Sequence, residues 1–224
     1  NQTTSQINFF LKNMSGAAYR FEAIGTTWQI DIEDEIAPEF EAILLDRIQK
    51  RIALYDRRYS RFRSDSLVML MSRQAGEYTL PEDGRELFDM YKKMYASTGG
   101  AVTPLIGQAL VDAGYDAQYS LKSKPMQAPP KWDEVIEYTF PKLFLKKPAL
   151  LDVGAAGKGH LIDIVSDLLR DSTIKSFCVD AGGDMHYQNA ANQTLRVGLE
   201  HPSDSSQVIG VATILNQCIC GSAG

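Results

Sequence analysis

The sequence lacks three features that would assign it at once to a broad functional class. Its 224 residues contain no apolar run that approaches the ~18 residues typical of a membrane span. The formal net charge is −5, and nucleic-acid backbones require clustered Lys and Arg, so we expect no nucleic-acid partner. Only three cysteines are present, without metal-ligand spacing, and we interpret Cys178, Cys218 and Cys220 as packing residues.

The N-terminal segment also lacks a secretory pattern. Residues 1–18 contain no basic-then-apolar run, and the chain has no starting Met, so the numbering is compatible with a leader that has been removed. We interpret residues 1–18 as an N-terminal extension and residues 19–224 as one domain that is incomplete at its C-terminal end. The chain stops in "CICGSAG", directly after a predicted strand, so we expect the natural protein to continue beyond Gly224.

Apolar periodicity separates an early helical part from a later strand-rich part. From Pro38 to Phe62 the apolar residues step by three and four, which predicts a long amphipathic helix. A second helix follows Pro81, and one more is predicted at 159–169. The predicted strands are 19–31 with a break at Gly25, 136–140, 143–145, 150–153, 176–180, 195–200 and 208–215. This segregation predicts the α+β class, with a mixed β-sheet core and flanking helices.

The stretch "LLDVGAAGKGHLIDIVSDLLR", residues 150–170, joins a short apolar run to small residues, one lysine and an amphipathic segment. Small residues at 154–157 would let a ligand approach the backbone closely. A helix opened by Gly159 would offer free N–H groups and a favourable dipole to an anion, with the Lys158 charge beside it. These features suit phosphate, although the pattern matches no standard nucleotide fingerprint. The alternative is a strand-to-helix turn whose small residues serve packing.

Two further groups of polar residues are candidates for a site. Asp152 would repel a phosphate unless its carboxylate accepts hydrogen bonds from a ring or hydroxyl, or helps to place a metal ion. A second small-residue corner, 181–183, is flanked by Asp180 and Asp184, and a tight turn between strands explains its glycines equally well. We interpret the three histidines as surface or packing residues, since no Ser-His-Asp or Cys-His arrangement stands out.

Five segments, in order, together resemble the ApbE family, the FAD:protein FMN transferases. Three residues differ from the family pattern: Ile24 stands in place of Met, Thr103 in place of Asp or Asn, and Gly157 in place of Ala. The similar segments are FEAIGTTWQIDI (21–32), YSRFRSDSLVMLMS (59–72), GGAVTPLIGQAL (99–110), LDVGAAGKGHLIDIVSDLL (151–169) and VDAGGDMHY (179–187). The resemblance extends over residues 19–224.

The resemblance implies an ApbE-like flavin transferase fold and a reaction. In that reaction, which depends on Mg²⁺, FMN passes from FAD to a Thr or Ser hydroxyl of an acceptor flavoprotein, and AMP is released. A magnesium-ligating backbone carbonyl corresponds to Ala155, and the family's remaining metal ligands lie beyond Gly224. The FAD contacts of the family correspond to Ile24, Phe62, Ala101, Val102, Thr103, Asp152 and Lys158. The alternatives are an FAD carrier, a hydrolase that splits FAD to FMN and AMP, and an inactive relative.

The resemblance also implies a partner and a location. The acceptor would be a flavoprotein subunit of a respiratory or redox complex. Family members are often lipoproteins at the outer face of a membrane, so we expect an exported, periplasmic or cell-surface protein, anchored through a removed N-terminal segment. No residue of the chain is assigned the catalytic proton transfer by sequence.

Overall fold

The computed structural model describes residues 16–117 and 120–221. Most of the predicted N-terminal extension, residues 1–15, and the C-terminal Gly224 lie outside the described residues. The elements are β1 (Ala17–Ala23), β2 (Thr26–Ile32), α1 (Pro38–Tyr59), α2 (Leu67–Met71), β3 (Gly76–Thr79), α3 (Gly84–Ser97), a 3₁₀ helix (Pro104–Ile106), α4 (Gly107–Asp112), α5 (Trp132–Val135), β4 (Ile136–Thr139), β5 (Lys142–Leu145), α6 (Gly154–Asp171), β6 (Phe177–Ala181), β7 (Asp184–Gln188), β8 (Leu195–His201), β9 (Asp204–Ile214) and β10 (Gln217–Ile219).

The chain divides into two compact units. The first unit contains the described residues up to Ala53 and those from Lys158 onward, and the second is Leu54–Gly157. Helices α1 and α6 each continue through a boundary between the units. The interpretation of 19–224 as one domain stays a prediction.

The first unit contains a five-stranded sheet in the order β1-β2-β6-β7-β10 and a separate β8-β9 pair. Strands β2 and β6 are central in the larger sheet, and they carry fully buried side chains such as Trp28, Ile30 and Val179. A second buried group links β6 and β7 to the β8-β9 pair, with Met185 and Val197 among its members. The strands that carry the polar candidates of this unit therefore rest on well-packed apolar residues.

The second unit contains a three-stranded sheet in the order β3-β5-β4, with the short helices and α3. Phe88 and Tyr91 of α3 and Leu143 and Leu145 of β5 are almost completely buried. The segment before α6 is extended and is held by a backbone hydrogen bond of 2.8 Å from Asp152 N–H to Pro104 O. This bond fixes the polar candidate Asp152 beside the 3₁₀ helix.

Helix α1 confirms the predicted long amphipathic helix. Pro38 is its first residue, a position where the missing N–H of proline costs nothing. Acidic residues in the first turn and basic residues in the last turn complement the helix dipole. Its buried side chains follow the predicted spacing: Leu44, Ile48, Ile52, Tyr55 and Tyr59. No helix in the described part of the chain is both long and apolar enough to cross a membrane.

The α+β class is confirmed, and three details differ from the prediction. All strand pairs among the described residues are antiparallel, where a mixed sheet was expected. The predicted strand 19–31 is a hairpin, because Ile24 and Gly25 form a two-residue turn between β1 and β2. The predicted strand 150–153 pairs with no described strand, and α6 begins at Gly154 rather than at Gly159. The small residues 154–157 thus form the first turn of the helix.

Candidate functional site

In the second unit, Asp152 is the centre of a mostly buried polar group, which we call the Asp152 cluster: Arg61, Asp152 and Gly154. Arg61 Nε lies 2.5 Å from Asp152 Oδ2, and the two side chains are only 7% and 13% exposed. Asp152 Oδ1 accepts a hydrogen bond of 2.7 Å from Gly154 N–H. Each carboxylate oxygen of Asp152 therefore has a partner within the protein, and one of these partners is the first residue of α6.

Arg61 connects Asp152 with Phe62. The Arg61 guanidinium also donates to the carbonyl of Tyr115 and lies over the Phe62 ring, 4.2 Å from its centroid. An aromatic face attracts a cation, so these contacts hold the guanidinium in one orientation. Phe62 itself is 42% exposed. The sequence analysis did not single out Arg61, because its partner Asp152 is 91 residues away and no local pattern connects them.

Thr103 is the N-cap residue of the 3₁₀ helix. Its Oγ1 accepts a hydrogen bond of 3.1 Å from Leu105 N–H, and the residue is 8% exposed. Capping is a role that Thr, Asp and Asn share, so Thr103 can perform it where the family pattern has Asp or Asn. Val102 N–H donates to Thr98 Oγ1 at 3.1 Å, and Ala101 is exposed. Of these predicted contacts, Ala101 is the most open to a ligand.

The first turn of α6 is less open to an anion than the sequence suggested. Gly154 N–H donates to Asp152, and the N–H groups of Ala156 and Gly157 donate to the carbonyl of Val153. Among the described residues, this leaves the N–H of the exposed Ala155 as the first-turn donor without a partner. The helix therefore offers an anion the Ala155 N–H and its dipole, and not a row of free donors.

The glycine at 157 has a packing reason. A Cβ at this position would lie 3.3 Å from the hydroxyl of Tyr55 and 3.3 Å from Val153 Cγ2, which is tighter than ordinary contact. Gly157 is thus suited to its surroundings in the second unit, where the family pattern has Ala.

In the first unit, a charged group surrounds Lys158, and we call Lys158, Asp180 and Asp184 the Lys158 cluster. Lys158 Nζ lies 3.0 Å from Asp184 Oδ2, with the lysine side chain 32% exposed. Asp180 Oδ1 accepts a hydrogen bond of 2.9 Å from Gly183 N–H. The pKa of Asp180 is raised to about 6, mainly by burial and to a smaller extent by the carboxylates of Asp31 and Asp184, while the Gly183 hydrogen bond and Lys158 lower it. The cluster therefore has more negative charge than its single cation compensates.

Two tight turns meet beside this cluster. Gly182 and Gly183 form a two-residue turn at φ of 60° and 94°, between the paired residues Ala181 and Asp184. Gly182 N–H donates to Thr27 O at 3.1 Å, so this turn lies against the start of β2. The turn between β1 and β2 contains Ile24 at a φ of 45°.

The backbone conformation of Ile24 is strained. A positive φ is a genuine outlier for a β-branched residue, and such strain persists only where the surrounding structure imposes it. Here the β1-β2 pairing imposes it, because Ala23 and Thr26 are directly opposite and leave two residues for the turn. The sequence predicted a break in this strand at Gly25, and the strain at Ile24 became visible only in the structure.

The predicted site residues therefore fall into two sets. Arg61 and Pro104 bring Phe62, the 101–103 segment and Asp152 together in the second unit. In the first unit, the turn that contains Ile24 and the Gly182-Gly183 turn lie at the same end of the sheet, and the Asp184 ion pair holds Lys158 beside the second of these turns. The prediction of packing cysteines is right for the buried Cys178 and wrong for Cys218 and Cys220, which are exposed.

Comparison with known proteins assigns the chain to a family. The model of the ApbE family matches residues 24–224. The chain belongs to the ApbE family. The resemblance inferred from the five motifs is confirmed, and the two polar clusters take their residues from the second, fourth and fifth of the similar segments.

Individual relatives of this ApbE chain are distant. An FAD:protein FMN transferase of Klebsiella pneumoniae (strain 342) is 24% identical over 196 residues, which are 80% of this chain and 58% of the relative. The flavin transferase ApbE from Vibrio cholerae superposes with a TM-score of 0.74 at 18% identity, over 90% of this chain and 69% of that one. The ApbE protein from Thermotoga maritima superposes with a TM-score of 0.72 at 16% sequence identity, over 91% of this chain and 69% of that one. These structures show a shared fold, and the chain spans 58% of the curated relative's length.

Proposed function

We propose that this ApbE chain transfers FMN from FAD to a Thr or Ser hydroxyl of an acceptor flavoprotein and releases AMP. A bond forms between the FMN phosphorus and the acceptor oxygen, the pyrophosphate bond of FAD breaks with AMP as the leaving group, and the hydroxyl proton passes to solvent or to the phosphate of the departing AMP. Family membership supports the reaction class. The observation that carries the proposal for this chain is Lys158, a cation held in place by Asp184 at 3.0 Å and still one-third exposed.

Lys158 would bind the diphosphate of FAD as a point charge. Its carboxylate partner fixes the ammonium group without burying it, so a phosphate oxygen can become a further partner. The exposed Ala155 N–H precedes Lys158 in the first two turns of α6, where the helix dipole also favours negative charge. Lys158 is therefore the proposed phosphate partner in the first unit, and the Ala155 N–H is a proposed donor in the second unit.

The Asp152 cluster would position the start of α6. Asp152 accepts from Gly154 N–H and is itself held by Arg61, so the cluster fixes the turn that contains Ala155. We propose Asp152 as a positioning residue, with the exposed Phe62 ring and Ala101 as surfaces for the flavin or adenine. Val102, Thr103 and Ile24 remain proposed FAD contacts on the basis of the family correspondence.

The residues present are compatible with the magnesium ion that the family implies. Mg²⁺ prefers carboxylate and carbonyl oxygens, and the Lys158 cluster contains two carboxylates and one cation. Asp180 and Asp184 are the groups of the first unit that would hold the ion. The carbonyl of Ala155, in the second unit, remains a proposed metal ligand on the basis of the family correspondence alone. A bound Mg²⁺ would neutralise the negative charge on the phosphate oxygens.

The acceptor and the location belong to the same proposal. An acceptor subunit of a respiratory or redox complex, and an exported protein with a lipid anchor in a removed N-terminal segment, follow from the family correspondence alone. They are tested by labelling of candidate acceptors and by the cellular fraction in which the protein is found.

The test begins with FAD affinity, measured by quenching of flavin fluorescence with and without Mg²⁺. Lys158→Ala should weaken FAD binding by about 1 to 3 kcal/mol, because one charge-assisted hydrogen bond is lost. Lys50→Ala is the matched control, since Lys50 is also paired with a carboxylate on a helix but is far more exposed. Equal affinity of Lys158→Ala and the unmodified protein would contradict the phosphate role of Lys158.

The reaction itself is tested with an acceptor peptide that contains one Thr. Covalent flavin on the peptide, dependent on Mg²⁺ and abolished by Thr→Ala in the peptide, is the expected result. Release of FMN and AMP without a labelled peptide would indicate a hydrolase, and FAD binding without AMP release would indicate a carrier.

A further inference from the structure

Outside the two clusters, three potential metal ligands converge in the first unit: Asp163 on α6, His186 on β7 and Cys218 on β10. Their ligand atoms all lie within 4.8 Å of one another. His186 Nδ1 is 3.3 Å from Cys218 Sγ and 3.9 Å from Asp163 Oδ1. Asp163 and His186 lie in segments similar to the family and Cys218 does not, and no part of the proposed flavin transfer uses these three residues.

The arrangement follows from the sheet register. Strand β10 pairs with β7, and this pairing puts Cys218 directly opposite His186. His186 is 14% exposed and its ring stacks on Phe177, with the ring centroids 5.8 Å apart. The imidazole therefore has a defined orientation, with Nδ1 toward the thiol and the carboxylate.

From this geometry we propose that Asp163, His186 and Cys218 form a binding site for a zinc-type divalent ion. Zinc bonds of roughly 2.0–2.3 Å at tetrahedral angles put neighbouring ligand atoms about 3.3–3.7 Å apart. The distance from His186 Nδ1 to Cys218 Sγ is 3.3 Å and that to Asp163 Oδ1 is 3.9 Å, so small side-chain movements would suffice to bind the ion. Thiolate and imidazole ligands favour zinc over magnesium or calcium, which prefer oxygen. A thiolate and a carboxylate together neutralise the double positive charge.

The site would have three protein ligands and an open fourth position. Asp163 is 61% exposed, so solvent reaches the cluster and an ion can enter. The fourth position would take a water molecule or an anionic oxygen, as in zinc sites with three protein ligands. The ion would link α6, β7 and β10, and β10 is only three residues long.

The position of Arg170 beside His186 leads to a specific prediction about this site. Arg170 Nη2 lies 3.2 Å from His186 Nε2, and a guanidinium can only donate, so without a metal Nε2 accepts and Nδ1 carries the proton. An ion on Nδ1 requires the proton on Nε2, and Arg170 must then turn away. It has alternative partners in Asp167 and Gln188. Arg170 therefore opposes binding, and Arg170→Gln would supply an acceptor for Nε2–H.

The experiment is a Co²⁺ titration of the 224-residue protein under a phosphine reductant, with Zn²⁺ as competitor. The thiolate-to-cobalt charge-transfer absorption reports a cysteine ligand and its stoichiometry. We expect one ion per chain, displaced by Zn²⁺. Cys218→Ser should weaken binding by more than about 100-fold, since loss of an outer-shell partner alone costs roughly 10–100-fold, and Arg170→Gln should tighten it about 10-fold.

Cys220→Ser is the matched control, because Cys220 is also exposed and lies only two residues from Cys218. It should leave the absorption and the affinity unchanged. His186→Gln gives a second loss of ligand if Cys218→Ser disturbs β10, and circular dichroism checks the fold of each variant. No cobalt–thiolate absorption, or equal effects of Cys218→Ser and Cys220→Ser, would overturn the site. Flavin binding is a separate readout, so its failure leaves this inference intact.

Discussion

Replacement of Arg61 by Ala tests the structural role of the Asp152 cluster. The Arg61 and Asp152 side chains are 7% and 13% exposed, so their charges are largely removed from water. Without Arg61, the carboxylate of Asp152 keeps the Gly154 N–H as its hydrogen-bond donor but loses its counter-charge. The variant also loses the donation to Tyr115 O and the contact with the Phe62 ring.

The expected magnitude is large for one side chain. Breaking a buried ion pair by removal of one partner costs about 3–5 kcal/mol, mainly because the other charge is left uncompensated. Domains of this kind have a total stability of about 5–15 kcal/mol, so Arg61→Ala would remove a substantial part of it. Asp152→Asn leaves the Arg61 charge without its counter-charge, but it should cost less, because the amide oxygen can still accept from Gly154 N–H and Arg61 keeps the Tyr115 carbonyl and the Phe62 ring.

A double-mutant cycle separates the charge effect from the lost packing. When Arg61→Ala is made in the Asp152→Asn background, the double variant contains neither charge of the pair. Arg61→Ala should therefore cost about 1–3 kcal/mol less in that background than it does alone. Urea-induced unfolding of the four proteins at one pH and salt concentration measures the coupling. Lys50→Ala removes an exposed pair and should change stability by less than about 1 kcal/mol. Additive costs, or an Arg61→Ala cost no larger than that of Lys50→Ala, would refute the reasoning.

Two further predictions concern the first unit. Gly182→Ala should lower stability by at least about 1–3 kcal/mol in urea unfolding, because its Cβ would lie 2.1 Å from Thr26 Oγ1. Gly25 has a similar positive φ and no atom within 4 Å of an added Cβ, so Gly25→Ala should cost less and measures the effect of backbone strain alone. Equal costs of the two substitutions would contradict the role of the close contact at Gly182. Burial raises the pKa of Asp31, so stability is present at low pH and falls as pH rises through the folded-state pKa. Asp31→Asn should therefore raise the melting temperature near pH 8 and change it little near pH 3, and a loss at pH 8 would refute this sign.

Several parts of the fold were predictable from local sequence. Helix α1 was predicted because its buried residues Leu44, Ile48 and Ile52 repeat at a helical spacing that is visible without any tertiary information. For the glycine corner at 181–183, sequence left open a ligand-binding corner or a tight turn between strands. The structure shows a tight turn, in which Gly182 and Gly183 adopt two successive positive φ angles. Five short motifs in a fixed order were sufficient to identify the family.

The start of α6 was predicted five residues too late, and the cause is a side chain. Gly154 and Gly157 each disfavour a helix, and the two alanines between them, which favour one, were read as part of a small-residue turn. In the structure, Asp152 Oδ1 accepts from Gly154 N–H, and Ala156 and Gly157 donate to Val153 O, so the helix begins early. The neighbouring segment 150–153 is apolar as a strand would be, but Asp152 N–H bonds to Pro104 O and not to a neighbouring strand.

The sequence alone determined the family, the α+β class, the long helix and the residues Lys158 and Asp152 as candidates, because spacing and motif order are properties of neighbouring residues. Only the tertiary structure decided what those residues contact. Arg61 meets Asp152 across 91 residues of chain, and Cys218 meets His186 across 32. Such pairs depend on strand register and on the packing of distant segments, and neither is encoded in any local pattern.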